Sequence, residues 1–283
     1  MLKVGSIMNR EFVALAPDCP VERALDLMRE RKQRHLLVTD HERLVGVLSE
    51  RDLMARPDAA PRRAGAGHAV EVRDRMSVSL DTVTADESLF RACRRLLERR
   101  IGCLPVVQEG RLLGLLSETD FLRLYVDVTR SVWDRAEFAS SVAACMSQDP
   151  VVVAPGASAG EAFELSRAKG IRHLLVVHDG WLVGMVSDRD ILPVIGRTEG
   201  DFRKVEDLMT RDFVAVTREV PLAVAAEGML RNGFHALPVL DDGALAGIVT
   251  SADVLRALCA LDEQAFEVAW SDAQALRSDR AGE

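Results

Sequence analysis

Gly46-Val47-Leu48-Ser49-Glu50-Arg51-Asp52 decides how this chain is read, because the chain writes it four times. It returns as Gly114-Leu115-Leu116-Ser117-Glu118-Thr119-Asp120 and as Gly184-Met185-Val186-Ser187-Asp188-Arg189-Asp190. The last copy is Gly247-Ile248-Val249-Thr250-Ser251-Ala252-Asp253. Each copy runs from a glycine through an apolar pair to a hydroxyl residue, with an aspartate three positions later. A hydroxyl followed at that spacing by a carboxylate marks a capped helix start. The corner therefore ends a buried strand and opens a helix. It also gathers a hydroxyl, free backbone N–H groups and a carboxylate, a set suited to the ribose and phosphate of a nucleotide.

Working outward, each copy is anchored on a methionine: Met8, Met76, Met146 and Met209. At fixed offsets follow an alanine (Ala24, Ala92, Ala162, Ala225), a leucine (Leu36, Leu104, Leu174, Leu237) and a valine (Val38, Val106, Val176, Val239). No gap falls inside the register, so this is an internal repeat with insertions only between copies. Within a copy a short strand comes first, as in Phe12-Val13-Ala14-Leu15 or Val151-Val152-Val153. A helix with apolar spacing Val21, Ala24, Leu25, Met28 follows, then two apolar strands joined by a polar turn, then the capped helix. The repeated alanine lies on the apolar helix face, where a small side chain lets the helix sit close to a sheet. The unit is β-α-β-β-α, about 50 residues, which is small for a core of its own and predicts that copies pair.

The segments between copies agree with pairing. Arg56–Val70, with Pro57, Pro61, Gly65 and Gly67, reads as a polar loop inside the first pair. Val126–Ser140, carrying Trp133 and Phe138, reads as a more helical connection between pairs, and Gly196–Arg203 as a short link inside the second. The tail spaces Phe266, Ala269, Trp270 and Ala273 at helical intervals. It is expected to dock on the body, with a second subunit, and so a homodimer, as the alternative.

Composition narrows the function. A net charge of −8 over 283 residues argues against general binding to nucleic acid or to an anionic membrane. No apolar run approaches the roughly 20 residues of a membrane span, and the opening residues lack the apolar core of a signal peptide. Five cysteines without a Cys-x-x-Cys predict a reduced, cytoplasmic protein with no zinc site. No Gly-rich phosphate loop, metal cluster or nucleophile with a placed base is present, so no catalysis is expected.

The β-α-β-β-α unit closed by Gly-φ-φ-Ser/Thr-x-x-Asp resembles the CBS domain, named for cystathionine beta-synthase. The resemblance covers nearly the whole chain, with copies at 4–56, 72–125, 140–195 and 205–258. It implies an α+β fold in which the repeats pair into two Bateman modules, 1–125 and 140–258. Residues 126–139 would form a connecting helix or linker and 259–283 a helical tail. The arrangement resembles that of the regulatory gamma subunit of AMP-activated protein kinase, a flat disc with clefts facing its centre.

The resemblance also implies ligand-binding residues. Asp52, Asp120, Asp190 and Asp253 would take ribose hydroxyls, since a carboxylate accepts two hydrogen bonds at once. Ser49, Ser117, Ser187 and Thr250 would approach ribose or phosphate, and the neighbouring apolar strand positions would sandwich the adenine. Capping alone is the plainer role for the same residues. Arg34-His35 and Arg172-His173 stand at matching positions of copies one and three, where the kinase subunit carries His-Arg pairs that hold phosphates. The order is inverted here. Arg51 and Arg189 repeat this bias, whereas Gly102-Cys103 and His235-Ala236 make copies two and four less basic. One better-equipped cleft per module is expected. The plainer reading of the arginines is solvated strand ends. His35 and His173 lack partners at metal-ligand spacing, so no metal site is expected. Cys103 reads as a packed thiol.

The expected function is therefore sensing of AMP, ADP or ATP, with magnesium compatible with ATP, and an energy signal passed by shape change to a separate protein partner that the sequence leaves unidentified. Two alternatives stand beside it: an interaction scaffold with empty clefts, and a sensor of S-adenosylmethionine or a cyclic dinucleotide.

Overall fold

The computed structural model describes residues 1–31, 33–54, 70–131, 139–195 and 202–281. The linker residues 56–69, Trp133 and Phe138 of the connection, and Gly196–Asp201 lie outside the described residues. The fold is α+β, as the repeat predicts. Repeat one holds β1 (Ala14–Leu15), α1 (Val21–Arg31), β2 (His35–Asp40), β3 (Arg43–Ser49) and α2 (Glu50–Met54). Repeat two holds α3 (Leu89–Arg99), β4 (Cys103–Gln108), β5 (Arg111–Ser117) and α4 (Glu118–Ser131). Repeat three holds α5 (Val142–Cys145), β6 (Val152–Val153), α6 (Ala159–Lys169), β7 (His173–His178), β8 (Trp181–Ser187) and α7 (Asp188–Ile191). Repeat four holds α8 (Leu222–Asn232), β9 (Ala236–Asp241), β10 (Ala244–Thr250) and α9 (Ser251–Ala260), and α10 (Glu263–Ala281) follows. The first strand is shorter than expected. It pairs in parallel with the hairpin over two residues in repeats one and three, and shrinks to single bridges at Val83 and Val216 in the others.

Each hairpin turns on two residues with positive φ: Glu109-Gly110, Asp179-Gly180, Asp242-Gly243 and, without glycine, His41-Glu42. Such mirror-image turns match the twist of the strands they join. In every hairpin the register skips one residue just before the repeated glycine.

The repeated methionine and glycine meet across each pair. The residue after the methionine exchanges two backbone hydrogen bonds with the residue after the partner's glycine. Asn9 does so with Leu115 (2.9 and 2.9 Å) and Ser77 with Val47 (2.9 and 3.1 Å). Ser147 does so with Ile248 (2.9 and 3.0 Å) and Thr210 with Met185 (2.8 and 3.0 Å). A side chain at the glycine has no room: a Cβ on Gly114 would lie 2.6 Å from the Asn9 carbonyl oxygen, and one on Gly247 2.5 Å from that of Ser147. Repeats one and two thus form one pair, and three and four the other.

The pairs join through their even members. Helices α3, α4, α8 and α9 pack into one core, with Phe121, Leu124, Tyr125, Leu222, Met229, Leu255 and Leu258 all buried. Repeats one and three keep smaller cores of their own around Leu36 and Leu174. The tail docks on the shared core. Phe266 and Ala269 of α10 are fully buried, and Phe266 meets Phe90 edge to face at 5.5 Å. Burying such a ring contributes about 2–3 kcal/mol. The odd repeats meet through α2 and α7, where Arg51 pairs with Asp188 and Arg189 with Glu50, each at 2.5 Å. Contacts therefore run in a cycle: one to two, two to four, four to three, three to one.

Candidate functional site

All four corners fold alike. The hydroxyl residue donates from backbone N–H and from its side chain to one carboxylate oxygen, Oδ2, of the aspartate. The distances are 2.7 and 2.6 Å for Ser49–Asp52 and 2.8 and 2.7 Å for Ser117–Asp120. They are 2.8 and 2.7 Å for Ser187–Asp190 and 2.7 and 2.7 Å for Thr250–Asp253. This is a capping arrangement, and it leaves the second oxygen, Oδ1, to decide what else each corner does.

There the copies divide. Asp120 is only 7% exposed and its Oδ1 takes a hydrogen bond from Arg123 at 3.4 Å; Asp253 is 3% exposed and takes one from Arg256 at 2.5 Å. Asp52 and Asp190 are half-buried, and among the described residues nothing donates to their Oδ1 atoms. Each of these two lines a cavity inside its own pair. One cavity, 280 Å3, lies between repeats one and two, with the Ser49–Asp52 corner on one side and Leu80, Ile101 and Pro105 on the other. Its counterpart, 300 Å3, sets the Ser187–Asp190 corner against Phe213, Val214 and Phe234. A third cavity, 760 Å3, borders the Ser117–Asp120 corner and runs from Gln33 to His235.

The two odd-repeat cavities share a wall, since Arg34, Arg172, Asp188 and Arg189 line both. Sequence equivalence brought Arg34 and Arg172 to matching strand ends; the fold brings them together at the meeting point of the repeats. Arg172 lies 3.8 Å from Glu118 of repeat two, and Ser251 of repeat four donates to the same carboxylate at 3.0 Å. Arg51, Arg172 and Arg189 have the carboxylates of Asp188, Glu118 and Glu50. Arg34 makes no ion pair among the described residues. Burial, followed by repulsion from Arg189 and Arg172, lowers its guanidinium from 12.5 to about 10.

The histidines are set in the same positive field. Burial above all, and then Arg34, Arg172 and Arg189, push His35 and His173 down to about 3. His235 is lowered to about 2 by the same causes, with His173 adding to them. All three are neutral imidazoles at neutral pH, so the positive charge here belongs to the arginines. The His35 ring packs where a Cβ on Gly102 would fall, 2.6 Å from its Cε1. Cys103 is packed as expected, with burial raising its thiol to about 12. No group of three or more metal-binding side chains occurs among the described residues.

Several residues escape a reading based on the repeat alone. Glu118, which collects partners from repeats three and four, shows only in the assembled cycle. Arg123 and Arg256 did have a signal: they lie three residues after the aspartate in even copies, where repeat three has Pro193. That spacing places both groups on one helix face.

Four segments match the CBS domain: 4–58, 71–127, 139–197 and 205–260. The chain belongs to the CBS-domain family. It aligns over most of its length with archaeal relatives. It is 26% identical over 274 residues to protein MJ1225 of Methanocaldococcus jannaschii, covering 88% of this chain and 95% of that one. It is 31% identical over 285 residues to a 33.4 kDa protein of the ribosomal RNA operon of Thermofilum pendens, covering 91% and 92%. The crystal structure of MJ1225, put forward as an archaeal homologue of γ-AMPK, superposes with a TM-score of 0.77 at 25% identity, covering 91% of this chain and all of that one. A Pyrococcus horikoshii protein shares the fold at a TM-score of 0.62 and 21% identity. CBS domains are typically regulatory rather than catalytic. No helix among the described residues is long and apolar enough to cross a membrane.

Proposed function

We propose that the chain is a non-catalytic regulatory protein that binds adenosine nucleotides (AMP, ADP or ATP) in the clefts of CBS repeats one and three. Residues 1–125 and 140–258 act as its two Bateman modules, and a shape change passes the signal to a protein partner in the cytoplasm. The observation that carries this reading is the split among four equivalent aspartates: two are spent on arginines, and two line a cavity with an Oδ1 to which nothing donates among the described residues. In each odd cleft the ribose hydroxyls donate to Oδ1 of Asp52 or Asp190. The adenine lies between the strand residue before the corner, Val47 or Met185, and the apolar wall of the partner repeat. The phosphates extend toward Arg34, Arg172 and Arg189, with magnesium accompanying ATP. Ser49 and Ser187 stay engaged with their aspartates and serve mainly to aim them.

The shared arginine wall means that the two sites draw on one pool of positive charge. A nucleotide that neutralises Arg34 in one cleft leaves less for the other. Ligands with more phosphates are then expected to bind with stronger mutual antagonism. The relation of MJ1225 to γ-AMPK supports a nucleotide ligand of this class.

The test is titration calorimetry with AMP, ADP, ATP, S-adenosylmethionine and a cyclic dinucleotide on nucleotide-stripped protein. Asp52→Asn and Asp190→Asn keep a carbonyl oxygen for the helix cap but place an amide donor where ribose needs an acceptor. Each should remove one site. Asp120→Asn and Asp253→Asn should leave binding intact and lower stability. Absence of binding by every ligand would leave the scaffold reading, and equal losses from all four variants would remove the odd-repeat assignment.

A further inference from the structure

Two of the five thiols lie on helices that meet at the joint between the modules. Cys93 lies on α3 of repeat two and Cys259 near the end of α9 of repeat four, helices that pack directly on one another. Cys93 is fully buried, and its Sγ lies 3.7 Å from the carbonyl oxygen of Leu255, one turn before Cys259 on the same helix. In α9 that carbonyl is the i−4 acceptor of the Cys259 N–H, so the Cys93 sulfur sits beside the Cys259 backbone. Cys259 is half-buried, so a small reagent reaches it from solvent while Cys93 stays behind it. Interaction with Cys93, opposed by burial and aided by the nearby Arg94, lowers the Cys259 thiol, and Cys93 is raised. A half-buried thiol backed by a second, buried thiol is the arrangement of a dithiol that exchanges with disulfides.

We infer that Cys93 and Cys259 form an oxidisable pair whose disulfide clamps repeat two to repeat four. The co-reactant is a low-molecular-weight disulfide, such as oxidised glutathione. The Cys259 thiolate attacks one of its sulfurs, forming a mixed disulfide and releasing one thiolate. That thiolate takes the proton of Cys93. The Cys93 sulfur then attacks Sγ of Cys259 and displaces the second thiolate. The protein loses two electrons and two protons, and one disulfide becomes two small thiols. The bond ties the covalent path of one module to that of the other, within the core that α10 also covers. No residue of α3 or α9 lines the two odd-repeat cavities, so the clamp acts on module docking and is independent of the ligand reading.

The experiment treats full-length protein with oxidised glutathione, alkylates the remaining thiols in denaturant, and maps peptides by mass spectrometry. Three of the five cysteines should alkylate, and one linked peptide should join Cys93 to Cys259, with a mass about 2 Da below the sum of its parts. The urea midpoint should rise and return with dithiothreitol. Cys259→Ser, at the half-buried position, should alkylate at all four remaining cysteines, while Cys103→Ser should still lose two thiols. Five reactive thiols in the treated wild type, a linked peptide containing any other cysteine, or glutathione retained on Cys259 beside a free Cys93 would each overturn the pair.

Discussion

Replacing Arg34 by methionine should stabilise the ligand-free protein and weaken its binding of nucleoside triphosphates. Four guanidiniums, of Arg34, Arg51, Arg172 and Arg189, meet three carboxylates at the centre, and Arg34 is the one without an ion pair among the described residues. Its lowering from 12.5 to about 10 comes from burial first and from Arg189 and Arg172 next. At about 1.4 kcal/mol per factor of ten, that fall corresponds to roughly 3 kcal/mol against the folded cation. Partial solvation screens it to about 1–2 kcal/mol. Because the folded value lies below the unfolded one, the penalty is present at neutral pH and is relieved only as pH rises past about 10. Methionine removes the charge and keeps an apolar stem. The urea midpoint of stripped protein at pH 7 and low salt should rise, and added salt should narrow its gap to wild type. A charge-assisted hydrogen bond to phosphate is worth about 1.5–3 kcal/mol, so ATP should bind roughly 10- to 100-fold more weakly, with adenosine unchanged. A lower midpoint for the stripped variant would make Arg34 a structural residue. Equal losses for ATP and adenosine would remove the guanidinium from the phosphates.

Gly114→Ala and Gly247→Ala push a Cβ against a backbone carbonyl and should each cost about 1–3 kcal/mol in thermal denaturation. Gly46→Ala meets the movable end of Met76 and should cost less; equal losses would refute the difference. Glu42, at φ 65°, occupies the turn position where the other three hairpins have glycine. Glu42→Gly should raise the melting temperature by the equivalent of about 1 kcal/mol, and a fall would count against strain there. His35 and His173 are lowered to about 3 in the fold, so the unfolded chain binds their protons first on acidification. Their stability contribution is full above about 6.5 and is lost as pH falls toward 3, at up to about 1.4 kcal/mol per pH unit for each. The fall in urea midpoint from pH 7 to pH 5 should be shallower in the His35→Gln, His173→Gln double variant, and an unchanged slope would refute it.

What the sequence made legible is what a repeat repeats. The Ser/Thr-x-x-Asp spacing foretold four capped corners, and the apolar periods foretold α+β units that pair. The first strands were over-read, since only two residues or a single bridge remain of them. A fixed distance from Met8 to Gly46 showed that both matter but not why. The reason lies in the partner: Met8 packs over Gly114 and Met76 over Gly46, so each copy carries one half of two separate contacts. Self-similarity cannot say which copy supplies the other half. The same limit applies to the site. Equivalent positions made Asp52, Asp120, Asp190 and Asp253 look interchangeable, yet their second oxygens were decided by a neighbour outside the motif. Arg123 and Arg256 stand one helical turn past the aspartate in the two copies whose helices α4 and α9 build the shared core. A carboxylate buried there needs a cation or a hydrogen-bond donor for its free oxygen, because an unpaired buried charge costs several kcal/mol. An aspartate facing a cavity has water to solvate it and stays available to a ligand. The even repeats were thus given to holding the two modules together, and the odd repeats, meeting through α2 and α7, kept their clefts open to the arginines at the centre. Burial divides four like corners into two kinds, and burial is a property of the assembled cycle that no single copy contains.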